Sequence, residues 1–259
     1  MKLDGKIGLV TGAGRGIGRA AAVALAREGA ELALAARSVD AIQSAAREAG
    51  RHGRRAVAVR ADIARTEDVD ELFVRFSSEF GRLDFLVHAA AVLGPLRPLA
   101  RVPGREFDQT IQTNLVGAFL VSKRSAELMV AKKEGAILHL TSGLAGIVMP
   151  CFGPYAVSKA GLDHLVRYLA AELEGSNVRV NALDPGSVDT AMQEEVRRLG
   201  GKCMQPEAHE IFGRMKEQSL LRAPEEVARC IVALVSDGAS GLTGHVGTLQ
   251  YYRDLGVSF

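Results

Sequence analysis

Residues Thr11-Gly-Ala-Gly-Arg-Gly-Ile-Gly18 stand between an apolar run, Ile7 to Val10, and a helical pattern set by Ile17, Ala21, Ala24 and Leu25. No other stretch narrows the possible folds so far. Glycine permits a tight turn and lets backbone come close to a pyrophosphate. A helix that starts directly after the turn offers unpaired N–H groups and the positive end of its dipole. Gly12, Gly16 and Gly18 have the spacing G-x-x-x-G-x-G. Set between a buried strand and a helix, the loop reads as a phosphate cradle; out of that setting it would be a plain strand-to-helix turn.

The rest of the chain repeats the same alternation. Apolar runs at Leu32–Ala36, Val57–Val59, Leu83–Val87, Ala136–Leu140, Val178–Leu183 and Val246–Leu249 read as six more strands. Between them lie helical patterns. Val69, Leu72, Phe73 and Phe76 form one stripe within Glu67–Phe80. Phe107, Ile111, Leu115 and Phe119 mark a second, and Leu162, Val166, Leu169 and Leu173 a third. Pro224-Glu-Glu opens a fourth, with Pro and acids suited to a helix N-terminus. Strands apolar on both faces and separated by helices predict an α/β fold: a Rossmann-like, doubly wound parallel sheet of about seven strands with helices on both faces. Residues 1–259 read as a single domain. Residues 188–220 break the rhythm, mixing Met192, Met204, Ile211, Phe212 and Met215 with many charges, and form a candidate substrate lid.

Composition serves mainly to exclude. Hydrophobic residues make up 47% and charged residues 24%, which suits a packed core and not a disordered chain. A net charge of +2, from 32 Lys and Arg against 30 Asp and Glu, gives no reason to expect a nucleic-acid partner. No apolar run is long enough to cross a bilayer. Cys151, Cys203 and Cys230 are widely spaced and odd in number, so neither a disulfide framework nor a metal site is expected. With no targeting segment ahead of the glycine loop, reduced thiols suggest a cytoplasmic protein.

The end of the second strand bears on which nucleotide such a cradle takes. An acidic residue there binds the ribose 2′-hydroxyl of NAD. This chain has Ala35-Ala36-Arg37-Ser38 instead. Arg37 could grip a 2′-phosphate with its planar guanidinium, and Arg15 could reach the same group. Either arginine alone reads equally as a solvated surface residue. Together, and with no carboxylate, they favour NADP(H) over NAD(H). Asp62 follows the third strand and reads either as an adenine contact or as a cap for the acidic helix after it.

Tyr155-Ala-Val-Ser-Lys159 opens a helical pattern, and i to i+4 spacing puts both side chains on one face. A free phenol titrates near ~10, so a nearby cation is needed before it exchanges protons readily near neutrality. An ordinary surface pair is the plain alternative. Ser142 follows the fifth strand at the carboxyl end, where such sheets bind ligands; its hydroxyl could hold a substrate oxygen or simply cap a turn. Asn114 interrupts a helical stripe, where its amide competes with backbone bonds. It marks either a tolerated kink or part of a proton or water network.

In order and spacing, Thr11-Gly-x-x-x-Gly-Ile-Gly18, Asp62, Asn114, Ser142, Tyr155-x-x-x-Lys159 and Asp184-Pro-Gly-x-x-x-Thr190 resemble the short-chain dehydrogenase/reductase family. The resemblance runs from Gly5-Lys6 to Leu242-Thr-Gly244 and looks nearest to the 3-oxoacyl-carrier-protein reductase branch. It implies hydride transfer between a nicotinamide and a carbonyl or secondary alcohol. Tyr155 would be the general acid or base, and Lys159 would lower its pKa and hold the nicotinamide ribose. Ser142 would orient the substrate oxygen, and Asn114 would organise a relay water. Pro185, Gly186, Val188 and Thr190 would border the nicotinamide, while Ile63 and Ala90 join the cofactor-binding set. A homo-oligomer, dimer or tetramer, would pack through the helices carrying Asn114 and Tyr155.

Three features depart from the family pattern. His88-Ala-Ala-Ala91 replaces Asn-Asn-Ala-Gly, and His88 is expected to be a satisfied buried histidine or part of an altered pocket. Asp184 puts a charge near the nicotinamide where neutral residues are usual. Thr243-Gly-His-Val-Gly-Thr-Leu-Gln250 replaces Asp-Gly-Gly, and the aromatic tail after it is expected to cover a subunit interface or to be disordered. A cofactor-binding regulatory protein without turnover is the rival reading, kept open by residues 88–91. Epimerisation or dehydration of nucleotide-linked sugars is a third, disfavoured by the short stretch after the last strand. Adaptable Met, Ile and Phe side chains in 188–220 suit 3-oxoacyl thioesters, steroids or small ketones.

Overall fold

The computed structural model describes residues 1–259. Seven strands, β1 (Ile7–Thr11), β2 (Glu31–Ala36), β3 (Ala56–Arg60), β4 (Phe85–His88), β5 (Gly135–Leu140), β6 (Val178–Asp184) and β7 (Val246–Thr248), form one sheet in the order β3-β2-β1-β4-β5-β6-β7. Every neighbouring pair is parallel. The order reverses between β1 and β4, which opens a crevice at the carboxyl ends of those strands.

Side chains alternate along each strand, so the sheet carries two cores. Val10, Leu32, Leu34, Phe85, Val87 and Leu138 pack on one face beneath α1 (Gly16–Arg27), α2 (Val39–Gly50) and α9 (Pro224–Val235). Leu9, Ala33, Leu86, Ile137 and Val180 pack on the other beneath α3 (Thr66–Phe80), α5 (Gly117–Lys132) and α6 (Gly153–Glu172). This is the Rossmann-like, doubly wound arrangement expected from the apolar runs.

Four local details differ from the sequence expectation. Helix α2 was not foreseen; its buried face is Ile42, Ala45, Ala46 and Ala49, and alanines give little contrast with a polar loop. The fourth strand runs from Phe85 to His88, later than 83–87, because Asp84 turns aside to accept the Ile7 N–H at 2.7 Å. The last strand stops at Thr248, whose hydroxyl caps α10 (Leu249–Asp254) by accepting from Tyr251 N. The stripe from Phe107 to Phe119 is not one regular helix: α4 (Gly104–Ile111) passes through a π turn at Gln112–Val116 into α5.

The aromatic tail turns inward. Tyr252 is fully buried, and its hydroxyl donates to the carbonyls of Ala182 and His245. The expectation of an interface cover or a disordered tail therefore fails for Tyr252, which is a core residue. Segment 188–220 folds into two helices, α7 (Ala191–Gly200) and α8 (Pro206–Glu217). Phe212 and Met204 pack with Phe152 and Tyr155 in a third, smaller apolar cluster.

Candidate active site

The glycine loop joins β1 to α1. Gly12 has φ +68°, and a Cβ there would meet Ala90 N at 2.6 Å. A Cβ at Gly18 would meet the Gly12 carbonyl at 2.3 Å. Backbone thus fills space that side chains would occupy. Arg15 precedes the helix without a side-chain cap, so the first N–H groups of α1 stay free for an outside acceptor. Gly12, Arg15, Gly16, Ile17 and Gly18 line a cavity of about 590 Å³, together with Arg37, Asp62, Ile63, Ala90 and Thr190. The nearby Pro185, Gly186 and Val188 line a second, adjoining cavity of about 150 Å³.

Arg15 and Arg37 are both exposed at the rim of the larger cavity, and neither has a carboxylate partner. Asp62 does not cap the helix after it, since α3 begins at Thr66 behind Arg65 with no side-chain cap. Its Oδ1 accepts from Ala64 N at 3.1 Å, a local turn cap, while the residue also lines the cavity. Close packing of glycine backbone, unpaired helix N–H groups and free guanidiniums together fit a dinucleotide.

The smaller cavity joins Ser142, Tyr155 and Lys159 to apolar walls that include Leu93, Phe152 and Phe212. Tyr155 is buried, and burial pushes its phenol up to about 12; a hydrogen bond with Ser142 works against the rise, and the Asp184 carboxylate adds to it. Lys159 is also buried, and burial brings its amine down to about 8 against the pull of Asp163. Its Nζ donates to the Leu140 carbonyl at 2.7 Å and lies 5.7 Å from the centre of the Tyr155 ring. In this arrangement the strongest influence on the phenol is loss of water, and Lys159 is held by backbone. Ser142 caps the turn at Gly143–Ala145 by accepting from Leu144 N at 3.3 Å, as its turn reading expects, and also borders the cavity.

Asn114 sits in the π turn and is buried. The extra residue in that turn aims the amide out of the helix. Oδ1 accepts from Val92 N at 2.8 Å, while Nδ2 donates to Val92 O at 2.9 Å and to Ser158 Oγ at 3.0 Å. Asparagine therefore ties the loop after β4 to the helix that carries Tyr155. Ser158 was not singled out from sequence; it lies between Tyr155 and Lys159, and only its partner reveals its use.

The departures also fall here. His88 is buried and half satisfied: Nδ1 meets Thr11 Oγ1 at 3.0 Å, while Nε2 has no partner. Its ring lies 5.2 Å from that of His139, and burial keeps both imidazoles neutral, His139 at about 3 and His88 well below its ordinary value. Asp184 accepts from Gly186 N at 2.9 Å, with its other oxygen facing Gly143.

Fold and crevice define a nicotinamide-dependent oxidoreductase built on a Rossmann-like sheet. A family model described as enoyl-(acyl carrier protein) reductase matches residues 12–252. The 3-oxoacyl-(acyl-carrier-protein) reductase of Thermotoga maritima is 32% identical over 247 residues, covering 95% of this chain and 96% of that protein. A xylitol dehydrogenase with bound NAD⁺ superposes with a TM-score of 0.90 at 27% identity, covering 96% of this chain and 99% of that one. An actinorhodin polyketide ketoreductase with NADPH superposes at 0.87 and 26% identity, covering 94% and 95%. The chain belongs to the short-chain dehydrogenase/reductase family, whose members act on CH–OH and C=O groups. No helix is long and apolar enough to cross a membrane.

Proposed function

We propose that this chain is an NADPH-dependent reductase of apolar ketones, with 3-oxoacyl thioesters the leading substrate class. The observation that carries this reading is a single crevice holding a glycine cradle, two unpaired arginines and a buried Tyr155–Lys159–Ser142 group. Among the structural relatives one holds NAD⁺ and another NADPH, so the choice rests on this chain's own residues. Arg15 and Arg37 are free to pair with a 2′-phosphate, and Ala35-Ala36 offers no carboxylate to a 2′-hydroxyl.

When bound, the nicotinamide supplies or accepts the hydride. Tyr155, whose phenol holds its proton well above neutrality, donates that proton to the carbonyl oxygen as negative charge develops there. Ser142 donates a second hydrogen bond to the same oxygen and fixes its position. Lys159 brings a cation beside the ring and, released from Leu140, binds ribose hydroxyls. Asn114 holds Val92 and Ser158 so that the helix carrying Tyr155 keeps its distance from the β4 loop. Asp62, Ile63 and Ala90 border the adenosine half, and Pro185, Gly186, Val188 and Thr190 the nicotinamide half. Helices α7 and α8 act as the substrate lid, with Met192, Val196 and Phe212 excluding water. Residues 1–259 act as one domain. Exposed Phe119, Val157 and Tyr168 on α5 and α6 suit a homo-oligomer contact, and three free thiols suit the cytoplasm.

A panel of a 3-oxoacyl thioester, a steroid ketone, a diketone and a sugar ketone, each offered with NADPH and with NADH, tests the reading. Turnover of the thioester or another apolar ketone that prefers NADPH is the expected result. A preference for NADH, or for the sugar ketone, would count against it.

A further inference from the structure

Two of the three cysteines meet where the lid touches the loop beneath it. Cys151 lies in the segment between the Gly143–Ala145 turn and α6, one residue before Phe152 of the substrate cavity. Cys203 lies between α7 and α8. Fifty-two positions apart in sequence, they meet: Cys151 Sγ donates to the Cys203 carbonyl at 2.9 Å, and burial together with the neighbouring Cys151 thiol pushes the Cys203 thiol up to about 12. Cys151 also has φ +76°, a left-handed conformation uncommon for a residue with a side chain. Its surroundings hold it there: Cys151 is buried in the apolar cluster with Leu93, Phe152, Met204 and Phe212. Strain of this kind persists where the packing around it determines the conformation, and here it turns the sulfur toward the lid. Cys203 is partly exposed, which gives a water-sized reagent a route to the pair. Cys230 lies on the buried face of α9, within the core, as a free thiol.

We propose that Cys151 and Cys203 form an oxidative modification site at which a peroxide joins them in a disulfide, pinning the lid to the loop and closing the substrate cavity. One sulfur attacks a peroxide oxygen, the O–O bond breaks, and a sulfenic acid and water form. The second sulfur then attacks the sulfenic sulfur, and its proton leaves with the departing hydroxide as a second water. Two thiols lose two electrons in all, and the peroxide gains them. A thiol reductant reverses the change. The effect on turnover rests on the reading of 188–220 as a lid, whereas bond formation does not.

The test treats the folded protein with excess hydrogen peroxide and maps its peptides without reduction. A peptide joining Cys151 to Cys203, lost on reduction, is expected, with Cys230 left as a thiol. The same samples are assayed for NADPH binding by fluorescence and for ketone turnover. Oxidised wild type should bind NADPH as before and lose turnover about tenfold or more, with recovery on reduction. Cys203→Ser, and separately Cys151→Ser, should keep turnover through the same treatment. If the native protein yields no joined peptide, the site is wrong. If the peptide forms and turnover is unchanged, or if Cys203→Ser is inhibited as strongly as wild type, the closing role is wrong. A protein with no ketone turnover before oxidation would contradict the reductase reading, while the peptide map would still decide the thiol chemistry.

Discussion

In the proposed mechanism, Lys159 sets the pH range of carbonyl reduction. Its buried amine titrates near about 8, down from 10.5, so it is a cation below that value and neutral above. Tyr155, at about 12, keeps its proton across the whole range. Reduction needs both the proton and the cation, so kcat should hold up to about pH 8 and fall above it. Lys159→Arg should move that fall to higher pH, because a guanidinium stays charged. The same shift bears on stability. Between pH 8 and 10.5 the unfolded chain holds a proton on this amine that the folded chain has released, so folding gains stability as pH rises through that window. Thermal melts of wild type and Lys159→Met across that range check the sign. At the other end of the crevice, Arg37→Ala should weaken NADPH binding by roughly tenfold or more, the worth of a lost charge-assisted hydrogen bond. NADH affinity should stay unchanged; fluorescence titrations of both nucleotides measure the difference.

At the scale of elements, Asp84 connects three pieces that position the crevice. Just ahead of β4, it accepts from the Ile7 N–H of β1 and from Lys132 at the end of α5, with Arg82 beside it. Burial raises the carboxyl, but Lys132, the Ile7 N–H and Arg82 outweigh it and hold the pKa below 3.8. The stability this provides is present above 3.8 and lost as pH falls through the lower folded value. Asp84→Asn should cost about 1–2 kcal/mol near neutrality, with the gap narrowing on acidification; denaturant melts at several pH values check both. Elements with apolar contrast were legible in the sequence, and elements that bury small residues were not. Strands β1, β2 and β5 announce themselves with Val, Leu and Ile, while α2 hides behind three alanines. The π turn is invisible because Phe107, Ile111, Leu115 and Phe119 keep helical spacing; the misfit of Asn114 is its one sequence trace. Tyr252 was misread because the two carbonyls that satisfy its hydroxyl belong to Ala182 and His245, which only the folded sheet brings together. Lys159 and Tyr155 were legible as a pair, but the bond from Lys159 to Leu140 was not, since it depends on how α6 lies against β5.

For the whole molecule, the decisive property is the reversal of strand order between β1 and β4. It puts the carboxyl ends of β1, β2, β4 and β5 around one opening. The glycine loop, the arginines and the tyrosine group, drawn from residues 12 to 190, therefore share a crevice that no local segment could build. Around that opening the chain places local features of its own: His88 and His139 packed 5.2 Å apart, Asp184 bonded to Gly186, and Cys151 bonded to the Cys203 carbonyl. The central claim is that this crevice passes a hydride to a carbonyl while Tyr155 supplies the proton. The most direct measurement is the rate of NADPH oxidation with a reactive ketone, compared between wild type and Tyr155→Phe at equal NADPH occupancy. A loss of about 10²–10⁴-fold in kcat, with NADPH affinity retained, is the expected result; a variant as fast as wild type would contradict the claim.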